Sequence, residues 1–339
     1  MEGDILNELQ ELAGVPPPPL PGSLAKPALY FLRACVAAIG KGGIESVPML
    51  LGSFWHPYYL RYVARADADA DIPAGDIDAK LFVPAGAASA AAAALFGSIR
   101  DAAVCRYELL GPDAGPLAPF AESAIDPAAG GPPGNHQGDV YGRNTDNQIV
   151  TKVRYTTKRI GSEAQGGAPQ LMHAFCLYTA GAAAGQIRRL IDLQICEVDK
   201  REFANNAIPP RIFLRGDDAP FRWEPAPFAP GFIIPDGWTH RFLWRRAFEN
   251  CARRLGDALE NAAAGCVDVK DCPCMPSIRG DAGKLLRLAA KLGKDELAPL
   301  FSIQETLLRC KAISAEARAA AAQAAQAAAQ AAQAAAQAA

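Results

Sequence analysis

Asp76 to Val83 reads Asp-Ile-Asp-Ala-Lys-Leu-Phe-Val, and this short alternation constrains the fold more than any other stretch of the chain. Side chains on a strand point to opposite faces with period two. Ile77, Ala79, Leu81 and Val83 therefore share one face, and Asp76, Asp78 and Lys80 share the other. Two carboxylates placed side by side repel each other unless a cation lies between them. Hard divalent ions such as Mg²⁺ take carboxylate oxygens, and a pair of them can clamp an in-line phosphoryl transfer. A third carboxylate, in the middle of an apolar run on a neighbouring strand, would complete such a site. The chain offers one in Gln186 to Cys196, where Ile191, Leu193 and Ile195 form the apolar face and Asp192 lies on the other. The preceding run Leu171 to Ala180 and the small-residue turn Gly181 to Gly185 predict a hairpin.

Upstream, Val47 to Leu51 is a short apolar run that stops at Gly52-Ser53. A helix is expected next, with Pro57 near its start and with Tyr58, Tyr59, Leu60, Tyr62 and Val63 along it. Free N–H groups at such a helix start, with the Ser53 hydroxyl, suit nucleotide phosphates. The alternative is an ordinary strand-to-helix turn with Ser53 as its cap. Lys80 either counters phosphate charge or pairs with the acidic residues beside it. The acidic run Asp67 to Asp71 reads as a solvated loop.

Strand, Gly-Ser, helix, Asp-x-Asp and then a later strand with one Asp resembles the polymerase-β-type nucleotidyltransferase superfamily. Within it, the Asp-Ile-Asp-Ala-Lys form, the hairpin with a single Asp192 and the helical C-terminal part are similar to the poly(A) polymerase catalytic subunits of large DNA viruses. The motifs span Ser46 to Cys196, and Gly52 and Asp76 stand further apart than in the compact superfamily pattern. The resemblance implies an α/β (α+β) fold: a mixed sheet with flanking helices, and a mainly helical C-terminal domain forming the other wall of a cleft. It implies template-independent addition of adenylate from ATP to an RNA 3′ end. Asp76 and Asp78 would hold two Mg²⁺ (or Mn²⁺) ions, Asp192 would complete one of them, and Gly52, Ser53 and Lys80 would serve the triphosphate. ATP and the RNA 3′ end are the expected partners, with a second copy of the chain or a processivity subunit as a further one. An enzyme acting on a small-molecule or protein acceptor, and a non-catalytic module of the same fold, are the alternatives.

Phosphate or RNA contacts are sought where positive charge gathers. Gln148 to Ile160 is the most basic strand, with Lys152, Arg154 and Lys158 in one parity. It reads either as a groove wall meeting phosphates or as an edge strand protected by charge. Arg188 and Arg189 add charge beside Asp192. Gly237 to Ala264 predicts an amphipathic helix with Phe242, Trp244, Phe248, Leu255 and Leu259 inside; its arginines, Arg245 among them, are candidates for RNA backbone. The net charge of −2 over 339 residues does not mark a general nucleic-acid binder, so any such groove must be local.

The expected organisation follows composition. Residues 1–22 form an N-terminal helix and a proline-rich linker, 23–205 the catalytic domain, 206–314 a helical domain and 315–339 an Ala/Gln tail. Gly111 to Asn147, rich in Gly, Pro, Asn and Asp, is expected to be an irregular insertion, and His136 within it has no assigned role. Nine cysteines without a secretory leader fit a reducing, cytoplasmic setting, a host cytoplasm or virion if the chain is viral. Cys266, Cys272 and Cys274 lack a fourth ligand at zinc spacing and read as free thiols. No membrane span is expected, the nearest stretch being the Ala-dominated Ala85 to Leu95.

Overall fold

The computed structural model describes residues 2–13, 20–59, 61–62, 76–104, 108–122, 135–160, 170–181, 187–199, 207–208, 221–235, 240–264, 275–290, 292 and 297–338. Leu60, Val63, the acidic run Asp67 to Asp71, and Cys266, Cys272 and Cys274 lie outside them. The chain divides into two compact units, Pro19–Trp238, and Met1–Pro18 with Thr239–Ala339.

The elements, in chain order, are α1 (Glu2–Leu12), α2 (Ala25–Lys41), β1 (Val47–Leu51), α3 (His56–Tyr59), β2 (Ile77–Pro84), α4 (Ala88–Val104), β3 (Asn135–Arg143), β4 (Ile149–Ile160), β5 (Gln170–Ala180), β6 (Ile187–Val198), β7 (Ala207–Ile208), β8 (Phe221–Pro225), β9 (Ile233–Pro235), α5 (His240–Ala264), α6 (Met275–Ala289) and α7 (Pro299–Ala338). The fold is α/β. Among the described residues, nine strands form a mixed sheet in the order β3-β4-β5-β6-β2-β1-β9-β8-β7. β2 runs parallel to β6, and β1 pairs in parallel with β9 at Met49 and Ile233; the other ladders are antiparallel.

Cross-strand partners share a face, so the register sorts the sheet into two sides. Ile77, Leu81, Ile191, Leu193, Ile195 and Phe175 lie on one side, all fully buried. α4 covers that side: Ser89 Oγ on α4 lies 3.4 Å from His173 Nε2 on β5, and the Tyr155 hydroxyl on β4 lies 2.6 Å from His173 Nδ1. Ala88, Ala91 and Ala92 are buried along α4, and their small side chains let it lie close to the strands. Glu197 Oε1 on β6 accepts the Ala88 N–H at 2.9 Å, satisfying one of the donors left free at the start of α4.

The other side of β2 is also largely covered. Beyond Asp78, Lys80 and Phe82 are buried, and Phe82 joins Met49, Cys196, Val198 and Ile233 in an apolar cluster. Only the first turn of the strand therefore keeps the expected open, polar face.

Three further expectations are revised. Asn135–Arg143, read as irregular, is a strand and closes one edge of the sheet. The sheet-bearing unit runs on to Trp238, past the expected boundary at 205, because β8 and β9 extend its sheet. Gly22–Lys41 is long and apolar enough by length and composition to cross a membrane, which was not expected of any stretch. In the structure Ala28, Phe31, Leu32, Cys35 and Ile39 of this helix are buried. They give α2 a stripe at helical spacing, turned toward α4 and β1.

The second unit is helical. Phe248, Leu255 and Leu259 of α5, Ile278, Ala282 and Leu285 of α6, and Leu300, Ile303 and Leu307 of α7 are its buried stripes. α1 adds Ile5 and Leu9, and Glu8 pairs with Lys311 at 2.8 Å. Residues 1–12 thus belong to the helical unit. The side chains of Phe242 and Trp244 lie outside the described set.

Candidate metal centre

Asp76 sits at the bend that enters β2, and Asp78 is the second residue of that strand. The parallel register sets Asp78 directly opposite Asp192 on β6. A carboxylate oxygen from each of Asp76, Asp78 and Asp192 lies within 4.8 Å of the other two. Asp76 and Asp78 are half-buried, whereas Asp192 is 7 % exposed. Among the described residues, Asp192 Oδ1 is buried without a hydrogen-bond partner. Burial pushes the Asp192 carboxyl above its ordinary value; Arg189 works against that shift and Asp76 adds to it. An ionised, orphaned oxygen in such a place is costly unless a cation meets it. An all-oxygen donor set at this spacing fits a hard divalent ion.

Arg189 is a cation that sits among these carboxylates. Its Nη2 donates to Asp76 Oδ2, and its Nη1 lies 3.2 Å from Asp192 Oδ2. Burial alone would lower the guanidinium pKa, but Asp76 and then Asp192 outweigh it and hold it above its ordinary value. In a regular strand, residues three apart face opposite ways. Between β5 and β6, Leu177 pairs with Ile191 while Tyr178 pairs with Arg189. Leu190 is therefore an extra residue in β6, a bulge that turns Arg189 onto the face of Asp192. Strand periodicity read without the bulge places Arg189 on the wrong side. The only sequence signal was the adjacent Arg188-Arg189 pair.

Gly52 follows β1 and packs on Asp78. Its φ is +79°, and a Cβ there would fall 3.0 Å from Asp78 Cγ and closer still to Oδ2. Both the conformation and the space call for glycine. Three residues on, the buried Trp55 donates its Nε1–H to the Asp78 carbonyl at 3.3 Å. Trp55 is thus a second anchor between this loop and β2, and nothing in the sequence pattern singled it out. Ser53 is half-buried beside Gly52. The described helix after it, α3, is one turn long. It is too short to supply a helix-terminal anion site by itself, and of the Gly52-Ser53 pair it is Gly52 that packs on Asp78.

The other candidates fall in different places. Lys80 is 8 % exposed and on the Asp78 face, and its charge lowers the Asp192 carboxyl pKa. β4 is an interior strand between β3 and β5, which rules out the charged-edge reading. Lys152 and Arg154 are 3 % and 6 % exposed, and both pair with Asp139 of β3, at 2.6 and 3.2 Å. The register puts both on the Asp192 face of the sheet, where Asp139 pairs with their charge. Lys158 is half-buried further along β4. Arg245 is exposed on α5 in the helical unit, paired with Glu249 at 2.9 Å.

No protein-family model, no curated protein and no solved structure matches this chain.

Proposed function

We propose that this chain is a nucleotidyltransferase that adds adenylate from ATP to RNA 3′ ends. The observation that carries this reading is the convergence of Asp76, Asp78 and Asp192 within 4.8 Å, with a buried, unpartnered oxygen on Asp192. These three would hold Mg²⁺ or Mn²⁺. Such ions, when bound, activate an attacking hydroxyl and neutralise charge on a departing pyrophosphate. The transfer forms a bond from the acceptor oxygen to the α-phosphorus and breaks the α–β phosphoanhydride. The hydroxyl proton passes to solvent, and the electron pair leaves with pyrophosphate. Gly52 and Ser53 would serve the triphosphate, a reading supported by the packing of Gly52 on Asp78.

The test is extension of a short labelled RNA by purified protein, with each of the four ribonucleotides supplied separately and Mg²⁺ or Mn²⁺ present. A ladder with ATP is expected. A folded protein that extends RNA with no nucleotide overturns the polymerase reading. The burial of Lys152 and Arg154 against Asp139 favours one alternative, an acceptor that is a small molecule or a protein. Under that alternative the same protein labels such an acceptor from α-labelled ATP, and it binds RNA without the steep salt dependence of phosphate contacts.

A further inference from the structure

We propose that Arg189 is the resident counter-cation of the carboxylate cluster, and that it makes cation loading depend on the nucleotide. This rests on the reading of Asp76, Asp78 and Asp192 as a divalent-cation site. The guanidinium bridges Asp76 through Nη2 and Asp192 through Nη1. It takes up two of the three carboxylates that a divalent ion needs, and it is held there by the Leu190 bulge. A free ion entering at the open Asp192 Oδ1 competes with it for the Asp76 and Asp192 carboxylates. The displaced guanidinium, with 31 % of its side chain exposed, is then separated from its described ionic partners while still mostly desolvated. Stranding a charge in this way offsets much of what the ion gains. An ion that arrives with a triphosphate brings a replacement anion. The planar fork of an arginine fits phosphate oxygens with two parallel hydrogen bonds. Arg189 therefore weakens binding of the bare ion and strengthens binding of the ion together with nucleotide. The two ligands are coupled through one side chain, and by linkage each raises the affinity of the other by the same factor.

Equilibrium binding of Mn²⁺, followed by the loss of the free-ion electron paramagnetic resonance signal, tests this without any turnover. It is run with and without α,β-methylene-ATP on wild type, Arg189→Gln, Arg189→Lys and Asp192→Asn, each first checked for a cooperative thermal transition. Wild type is expected to bind Mn²⁺ roughly tenfold or more tightly with the analogue present, within the usual range of coupling. Arg189→Gln is expected to bind bare Mn²⁺ roughly tenfold tighter than wild type and to lose most of the analogue's effect. Arg189→Lys keeps the charge without the fork, so it should keep weak bare-ion binding and a reduced coupling. Arg189→Gln binding bare Mn²⁺ no tighter than wild type overturns the proposal. If Asp192→Asn still weakens Mn²⁺ in that case, the metal centre itself stands. Unchanged Mn²⁺ affinity in Asp192→Asn overturns both.

Discussion

At Gly52 the backbone lies in the left-handed region and the Asp78 carboxylate occupies the space of a side chain. Gly52→Ala should therefore cost about 1–3 kcal/mol in urea unfolding, as strained positions do, and should push Asp78 out of the cluster. Weakened Mn²⁺ binding in the folded variant is the check. Asp78→Asn acts the other way on stability. It removes one of three crowded negative charges and opens no cavity. Its thermal midpoint in EDTA should be equal to or above that of wild type, while transfer is lost. The three aspartates were legible because a period of two survives wherever a strand is regular and one face is apolar. Arg189 was legible as charge beside Asp192, but its place on the same face was not, because the inserted Leu190 resets the parity between them.

Among the elements, β4 is the instructive one. Its basic residues suggest either a groove wall or an edge strand protected by charge, and its place between β3 and β5 removes the edge reading. The misreading came from β3. Asn135–Arg143 has two glycines and no apolar alternation, so it carries no strand signal. Gly138 is explained only by its neighbour, since a Cβ there would meet Phe96 Cζ at 2.8 Å. With β3 missed, Asp139 could not be recognised as the partner of Lys152 and Arg154. Burial acts to raise the Asp139 carboxyl, and hydrogen bonds from Lys152, Arg154 and His136 more than offset it, leaving it below the ordinary carboxylate range. A depressed carboxylate contributes stability that is fully present above its unfolded value of 3.8 and is lost as pH falls through the lower folded value. Asp139→Asn should destabilise the protein by about 3–5 kcal/mol at neutral pH, as removing one partner of a buried pair does. The gap between variant and wild type should shrink in acid below pH 3.8, read from urea unfolding at a series of pH values. A gap that is constant with pH would remove Asp139 from this role.

For the whole molecule, the candidate chemistry lies in one unit. Asp76, Asp78, Asp192, Gly52 and Arg189 all belong to Pro19–Trp238. A chain of residues 19–238 should keep the Mn²⁺ affinity of the full protein, and a large loss would assign part of the centre to the helical unit. The Ala/Gln tail continues α7 to Ala338, and its described side chains from Ala315 to Gln330 are exposed. Removing residues 315–339 should lower the helical circular dichroism signal and leave the thermal midpoint and transfer activity unchanged. The α/β class and the helical C-terminal part were legible from periodicity and composition. The unit boundary was not, because β9 joins the sheet by a single parallel pairing, Met49 with Ile233, across a long sequence separation that no local pattern records.

The most direct test of the central claim is a change of metal preference at Asp192. Asp192→Cys replaces a hard oxygen ligand by a soft thiolate, which accepts Mn²⁺ or Cd²⁺ far better than Mg²⁺. RNA extension with ATP should be present in wild type with Mg²⁺, absent in Asp192→Cys with Mg²⁺, and restored in that variant by Mn²⁺ or Cd²⁺. Full activity of Asp192→Cys in Mg²⁺ would contradict the account, because Asp192 would then hold no ion that the reaction needs.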